Sequence, residues 1–135
     1  MTKWHFFLAM DPPTKTQQEH RIGKRKDGSM YFYEDRGLKE ARSQIRHALA
    51  PHTPAEPYTG PIRLMVKWLF PAGSHRDGSY KTTRPDTDNL NKMLKDEMTK
   101  LGFWKDDALV ASEIIEKFWA DPAGIYIEIE RLEND

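Results

Sequence analysis

Cysteine is absent from this chain of 135 residues. Its absence excludes disulfide bonds, thiolate zinc sites and cysteine nucleophiles, and it is typical of proteins in a reducing compartment. Long apolar runs are absent as well, because no stretch approaches the ~20 residues that a helix needs to cross a bilayer. The segment at residues 1–10 is too short and too aromatic for the core of a signal peptide. We therefore predict a cytoplasmic protein without a membrane partner.

Net charge is also absent, since 21 lysines and arginines balance 21 aspartates and glutamates. The charges are nevertheless unevenly distributed along the chain. Residues 1–95 contain 17 basic and 10 acidic side chains, whereas residues 96–135 contain 4 and 11. A basic body is typical of proteins that bind polyanions, although folding could also mix these charges into an ordinary surface. Charge alone leaves both interpretations open.

Hydrophobic periodicity predicts the secondary structure, because alternating apolar residues indicate strands and apolar residues at helical spacing indicate helices. Residues 14–33 are predicted as a basic loop, although Asp27-Gly28 is also compatible with a loose hairpin. Residues 71–85 are predicted as a second loop, and loops of that length are usually functional or disordered. The predicted strands cover residues 3–10, 61–70, 108–119 and 125–130, and the predicted helices cover residues 34–50 and 88–101.

This order of elements predicts a single α+β domain over residues 1–135, with a mixed β-sheet of about four strands and two main helices packed on it. A turn at residues 121–124 separates the last two strands, and we expect these strands to form a hairpin. Asp88 is the expected N-cap of the second helix, and Gly102 is its expected C-terminal stop.

Two pairs of aspartates flank the second predicted helix: Asp86 with Asp88, and Asp106 with Asp107. One explanation is structural, because aspartates cap helices for ~1 kcal/mol and favour turns. The alternative is a site for hard divalent cations. The helix travels ~20 Å at ~1.5 Å per residue, and the extended chain from Gly102 to Asp107 can cover ~20 Å back. The two pairs can therefore just meet within one chain.

Crowded carboxylates repel one another unless a cation lies between them, and their hard oxygens favour Mg²⁺ or Mn²⁺ over zinc. Lys92 shares a polar helix face with Asp88 and Asp96, where it could stabilise a phosphate oxygen or merely pair with these acids. Carboxylates, a divalent cation and a nearby basic loop are the parts that phosphodiester hydrolysis requires. The residues alone therefore favour a metal-dependent nuclease.

The stretch DTDNLNKMLKDEMTKLGFWKDDALV resembles the signature of the RusA family of Holliday-junction resolvases, which are often encoded by phages or prophages. The match consists of D-x-D-N-L-x-K, an aspartate four residues after that lysine, a G-F-W turn and D-D-x-x-V. The resemblance implies a homodimeric, Mg²⁺-dependent endodeoxyribonuclease that resolves four-way DNA junctions by paired symmetric nicks, in DNA recombination and repair.

The resemblance also assigns individual roles. The essential acids, and thus the expected metal ligands, fall on Asp86, Asp88 and Asp107, and the essential catalytic lysine falls on Lys92. Asp96 and Asp106 occupy acidic positions of the motif whose roles stay open, with Asp106 an additional candidate ligand. In a DNA-cutting protein some loop cations should contact phosphates, although they could also be merely solvated. These candidate DNA contacts are Lys24, Arg25, Lys26, Arg76, Lys81 and Arg84.

Two other functions remain open. A general Mg²⁺-dependent nuclease acting on branched or flap DNA would use the same acids but need only one active site. A non-catalytic protein that binds DNA structures would be expected to have a broken acid set, and here the set is intact. Nothing in the sequence indicates an organic cofactor. Asp107 could act within its own chain or across the dimer, whose candidate interfaces are residues 4–10 and the Phe103–Trp104 turn.

Overall fold

The computed structural model describes residues 3–16, 20–34 and 36–133. These residues form six β-strands, two α-helices and two short 3₁₀ turns at Ala50–His52 and Asp107–Leu109. The strands are β1 (Lys3–Leu8), β2 (His20–Lys24), β3 (Met30–Glu34), β4 (Ile62–Pro71), β5 (Val110–Ala120) and β6 (Gly124–Arg131). The helices are α1 (Arg36–Leu49) and α2 (Thr87–Leu101). Neither helix in these ranges is long and apolar enough to cross a membrane.

Four strands form one mixed sheet in the order β1-β6-β4-β5, which confirms the predicted α+β class. β6 pairs antiparallel with both β1 and β4, whereas β4 and β5 are parallel. The parallel pair is possible because α2 lies between these two strands in the chain and provides the long crossover that a parallel connection needs.

The predicted hairpin between the last two strands is wrong, because β4 lies between β5 and β6. The residues at 121–123 do reverse the chain, as expected. Three extended residues can span ~10 Å, which equals about two strand spacings of ~4.8 Å. The connection can therefore step over β4, and a turn signal in the sequence indicates only that the chain reverses, not which strand becomes its neighbour.

One face of the sheet is covered and forms the hydrophobic core. Successive strand residues point to opposite faces, and burial along β4 alternates accordingly. Each fully buried leucine or isoleucine stabilises the fold by ~1.5–3 kcal/mol. The core residues of β4 are Ile62, Leu64, Val66, Trp68 and Phe70, and those of α2 are Leu90, Met93, Leu94 and Met98.

The ends of α2 are set by Asp86 and Gly102. Asp86 occupies the N-cap position, so the predicted N-cap at Asp88 is wrong, and Asp88 lies in the first turn instead. The predicted C-terminal stop is observed, because Gly102 has a left-handed backbone conformation with φ 92°. Glycine adopts this conformation without the strain that a side chain would cause.

The turn that follows α2 is part of the core. Phe103 and Trp104 are buried, and the Trp104 indole N–H donates to the Thr99 hydroxyl at 2.8 Å. The Tyr58 backbone N–H donates to the Phe103 carbonyl at 2.8 Å, which ties the linker after α1 to this turn. The Phe103–Trp104 turn is therefore occupied by its own chain and is a poor candidate for a dimer interface.

Part of the segment predicted as a basic loop is a β-hairpin. β2 and β3 pair antiparallel, with Lys24 opposite Met30. In the turn between them, the Asp27 carboxylate accepts the Ser29 hydroxyl at 2.7 Å and the Ser29 N–H at 2.9 Å. These bonds lower the pKa of Asp27 below its usual value, the hydroxyl bond having the larger effect. Residues 17–19 of the predicted loop lie outside the described residues.

The second predicted loop, residues 71–85, is ordered along the edge of β5. The Gly78 N–H donates to the Trp119 carbonyl at 2.7 Å, and the Trp119 N–H donates to the Ser79 carbonyl at 2.8 Å. Further along, the Lys81 N–H donates to the Lys117 carbonyl at 3.0 Å. The loop therefore covers the last part of an edge strand that could otherwise pair with another chain.

A buried ion cluster joins the two helices. The Glu97 side chain on α2 is fully buried, and its Oε2 lies 3.1 Å from the Arg42 guanidinium on α1. The Arg46 guanidinium lies 3.5 Å from Oε1, and the Lys100 ammonium lies 3.1 Å from Oε2. A buried carboxylate is tolerated here because several cations compensate its charge.

Replacing Glu97 with glutamine should lower the free energy of unfolding by about 3 kcal/mol, because it removes the anion from a buried ion cluster. Glu130→Gln is the matched control, since Glu130 pairs with Arg63 at 3.2 Å but both side chains are about one-third exposed, at 32% and 41%. An exposed pair should contribute less than about 1 kcal/mol. Urea denaturation measures both losses, and equal losses would contradict the role of Glu97.

Candidate active site

The first pair of predicted acids lies at the N-terminal end of α2. The Asp86 backbone carbonyl accepts the Leu90 N–H at 3.1 Å and closes the first helical turn. Its carboxylate is exposed and accepts no capping hydrogen bond. Asp88 is exposed in the first turn. The positive end of the helix dipole favours both charges, but side-chain capping does not account for either carboxylate.

Hydrogen bonding divides the flanking acids into two groups. Within the part of the chain that the structure describes, the carboxylates of Asp86, Asp88 and Asp107 have no hydrogen bond or ion pair. Asp106, in contrast, accepts the Ala108 N–H at 2.9 Å and caps the 3₁₀ turn before β5. A structural role therefore accounts for Asp106 but leaves the other three carboxylates unexplained.

Lys92 projects from the polar face of α2, as predicted. Its side chain is 66% exposed, and its ammonium lies 3.7 Å from the Asp96 carboxylate, one turn further along the helix. Asp96 also lies 3.6 Å from the Arg42 guanidinium on α1. An exposed pair of this spacing contributes ~0.2–0.5 kcal/mol, so Asp96 restrains Lys92 only weakly and leaves its ammonium accessible to a ligand.

Asp107 lies in a different place from the first pair of acids. It lines an open groove of about 610 Å³ beside the C-terminal half of α2. The groove has mixed charge, with cations as well as acids on its walls. Its lining residues are Arg42, Asp96, Thr99, Lys100, Lys105, Asp106 and Asp107.

A single protomer does not fit a metal site of three carboxylates. Among residues 3–16, 20–34 and 36–133, no three acidic or histidine side chains lie close enough to hold one ion. The 15 residues of α2 separate its ends by ~20 Å. The return of the chain to the start of α2, which its length allows, is not observed, because Phe103 and Trp104 turn into the core immediately after the helix.

Two lysines contact the segment that leads into α2. The Lys117 ammonium, on β5, donates to the carbonyls of Thr83 at 2.8 Å and Pro85 at 2.7 Å. The Lys81 ammonium donates to the Arg84 carbonyl at 2.8 Å and also to the Thr83 hydroxyl. Three consecutive carbonyls before the helix are therefore satisfied by lysine side chains.

Lys81 is only 7% exposed, although it was predicted to contact DNA. Its ammonium lies 4.4 Å from the centre of the Trp119 ring and 5.0 Å from that of Phe70. Burial lowers the pKa of Lys81, and the charge of Lys117 lowers it further. We therefore leave Lys81 out of the proposed DNA contacts. The sequence analysis did not single out Lys117. Its position was a signal, because Lys117 alternates with Ile115 and Trp119 and so lies on the covered face of the strand.

The other predicted DNA contacts lie on the surface. Lys24 and Lys26 are exposed at the end of the β2–β3 hairpin. Arg25 is exposed beside them, but its guanidinium donates to acceptors of the same hairpin at 3.4 Å. Arg76 and Arg84 are exposed in the loop along β5. The surface cations therefore fall into two groups, one on the hairpin and one on the loop that precedes α2.

Comparison with known proteins finds a similarity that covers most of the chain. The family model for the endodeoxyribonuclease RusA matches residues 11–130. The crossover junction endodeoxyribonuclease rusA of Lactococcus phage r1t is 33% identical over 134 residues, which cover 97% of this chain and 95% of the phage protein. The uncharacterized protein YqaN of Bacillus subtilis (strain 168) is 25% identical over 122 residues, covering 82% and 85%. This chain belongs to the RusA family of endodeoxyribonucleases.

Proposed function

We propose that this enzyme is a Mg²⁺-dependent endonuclease that resolves four-way DNA junctions by paired symmetric nicks. The proposal rests on the difference in hydrogen bonding among the acids. The carboxylates of Asp86, Asp88 and Asp107 have no partner among the described residues, and these are the acids that the family motif marks as essential. Asp106, which the motif leaves open, already caps a turn.

The proposed site contains residues of two protomers. Within one protomer Asp107 lies beside the C-terminal half of α2, far from Asp86 and Asp88 at the other end. A twofold homodimer can bring the start of α2 in one copy to Asp107 of the other, and symmetry then builds the same site twice. Two sites related by a twofold axis are what paired nicks at symmetric phosphates require.

Each group in such a site has a distinct task. The three carboxylates would hold Mg²⁺ or Mn²⁺, which supplies an activated water and offsets charge at the phosphate when it is bound. Lys92 lies one turn from Asp88 on the same helix face and stabilises negative charge on the scissile phosphate. Asp96 lies beside the Lys92 ammonium but restrains it only weakly, so the ammonium can turn towards a bound phosphate. Asp106 shapes the turn that presents Asp107.

The surface cations supply most of the affinity for DNA, because phosphate contacts dominate binding and weaken steeply with salt. The hairpin contributes Lys24 and Lys26, and the loop before α2 contributes Arg76 and Arg84. Arg84 lies two residues before Asp86, so a phosphate that reaches Arg84 also approaches the acids. The edge of β1, which pairs only with β6 among the described strands, lies on the opposite side of the sheet from β5. A site shared between protomers therefore needs contact on the α2 side of the molecule.

A mobile four-way junction should be cut on two opposing strands in the presence of Mg²⁺ and left intact when EDTA replaces it. A linear duplex of the same sequence and a flap substrate serve as controls, with each strand labelled in turn on a denaturing gel. Equal rates on the junction and the linear duplex would instead indicate a general nuclease. Tight junction binding without cutting at any tested Mg²⁺ or Mn²⁺ concentration would indicate a binding protein.

Replacing Asp86, Asp88 or Asp107 with asparagine should each lower the single-turnover rate by about 100-fold or more, the scale expected when a group that stabilises transition-state charge is lost. Thermal stability should change little, because none of the three carboxylates has a hydrogen bond or ion pair among the described residues and the helix dipole contributes less than about 1 kcal/mol. Asp106→Asn is the matched control, since asparagine can still accept the Ala108 N–H and should retain most activity. If Asp106→Asn lowered the rate as much as Asp107→Asn, Asp106 would instead belong to the catalytic site.

Mixing Asp88→Asn protein with Asp107→Asn protein should restore nicking if each site spans two protomers. In the mixed dimer one site carries both substitutions, whereas the other site is intact and can nick one strand. Sites built within one protomer would leave every mixture inactive. Subunit exchange is verified by tagging one variant, and a mixture of Asp86→Asn with Asp88→Asn is the control, because neither arrangement restores a site in it.

A further inference from the structure

The segment between Lys81 and Asp86 is fastened to the sheet by side chains. Its last backbone hydrogen bond to β5 is made by the Lys81 N–H. From there to Asp86, the hydrogen bonds of the described residues come from the ammonium groups of Lys81 and Lys117. The hydrogen bonds that fix the chain before the N-terminus of α2 therefore come from two lysine side chains.

Both ammonium groups are themselves confined. Lys81 lies beneath the faces of Trp119 and Phe70, and Lys117 projects from a β5 position paired with the buried Trp68. Two neighbouring cations repel each other, so they need oxygen acceptors, and the carbonyls of residues 83–85 supply them. Lys117 belongs to β5, and the Lys81 backbone N–H donates to β5. The two side chains therefore hold these carbonyls in a fixed position relative to the sheet.

Asp86 follows this segment directly and has no side-chain hydrogen bond of its own. Its position and direction are therefore set by the backbone before it and by the first turn of α2 after it. An error of ~1 Å in the position of a reacting group can cost ~100-fold in rate. A site acid in this position thus needs an external restraint on the preceding chain.

We propose that Lys81 and Lys117 are positioning residues of the active site, which fix the backbone of residues 83–85 and thereby place Asp86 and, one turn on, Asp88. This role rests on the proposed function, because it assigns Asp86 and Asp88 to catalysis. It gives Lys81 a task in the reaction without contact with DNA. It also accounts for a lysine at a buried position and for another on the covered face of a strand.

The kinetic test replaces each lysine with methionine, which keeps the length and apolar packing of the side chain but removes the donors. Lys81→Met and Lys117→Met should each lower the saturated single-turnover rate by about 10- to 100-fold and leave junction affinity within about twofold. Lys39→Met, an exposed position on α1, controls for the loss of one positive charge. Lys117→Arg, which retains donors, should recover more of the rate than methionine. Rates equal to wild type in both methionine variants would overturn the proposal.

A double variant tests whether the two lysines act on the same segment. If they do, the rate loss of Lys81→Met/Lys117→Met should be smaller than the product of the two single losses, because the first substitution already releases the chain. Independent, multiplicative losses would overturn a shared role. All rates are measured well below the thermal midpoint of each variant, so that unfolded protein does not contribute.

Amide hydrogen exchange tests the restraint without DNA or activity. In both methionine variants, exchange should rise at Leu90, whose N–H donates to the Asp86 carbonyl at 3.1 Å, and stay unchanged at residues 94–101, where α2 packs on the sheet. Unchanged exchange at Leu90 would overturn the proposal even if the wild type cuts junctions. If the wild type cuts no junction, the proposed function fails, while the exchange result still decides whether the two lysines hold the segment.

Discussion

The packing of α2 across β4 is the contact on which the rest of the structure depends. The apolar stripe of the helix covers one face of the sheet. In the buried interface, the Trp68 indole N–H donates to the side-chain Oδ1 of Asn91 at 3.0 Å. An unsatisfied buried donor costs ~1–3 kcal/mol, so this bond favours one rotation of the helix about its axis. With the stripe turned inward, Asp88, Lys92 and Asp96 must face outward together.

The same contact holds α2 firmly at both ends, where the proposed site acids lie. Its N-terminus follows a segment tied to β5 by Lys81 and Lys117, and its C-terminus stops at Gly102 before two aromatic residues enter the core. The Glu97 cluster adds a link to α1 near the middle. A helix restrained at several points along its length presents its acids on a rigid support, which is where precise positioning is easiest to achieve.

Much of the fold could be predicted from the sequence, because alternation and helical spacing report burial directly. The extents of α1, α2, β4 and β6 agree with their patterns to within a few residues. The neighbour of β6 could not be predicted, since periodicity carries no information on strand order. The sequence allowed candidate acids to be named, but it did not show which of them lack a partner. Asp106 and Asp107 are adjacent and identical in type, and the hydrogen bond from Ala108 to Asp106 distinguishes them.

In a twofold assembly, the distance between the acids along α2 determines how the two copies of this helix are arranged. If the start of α2 in one protomer meets Asp107 of the other, the two helices must run antiparallel across the axis, each with its N-terminus beside the partner's C-terminal half. The two sites then lie about one helix length apart, ~20 Å for 15 residues. Neither site can form without the other, because one twofold operation creates both contacts. An isolated protomer would thus lack activity on any DNA, and coupling metal binding to dimer assembly would confine cutting to an enzyme that carries two complete sites.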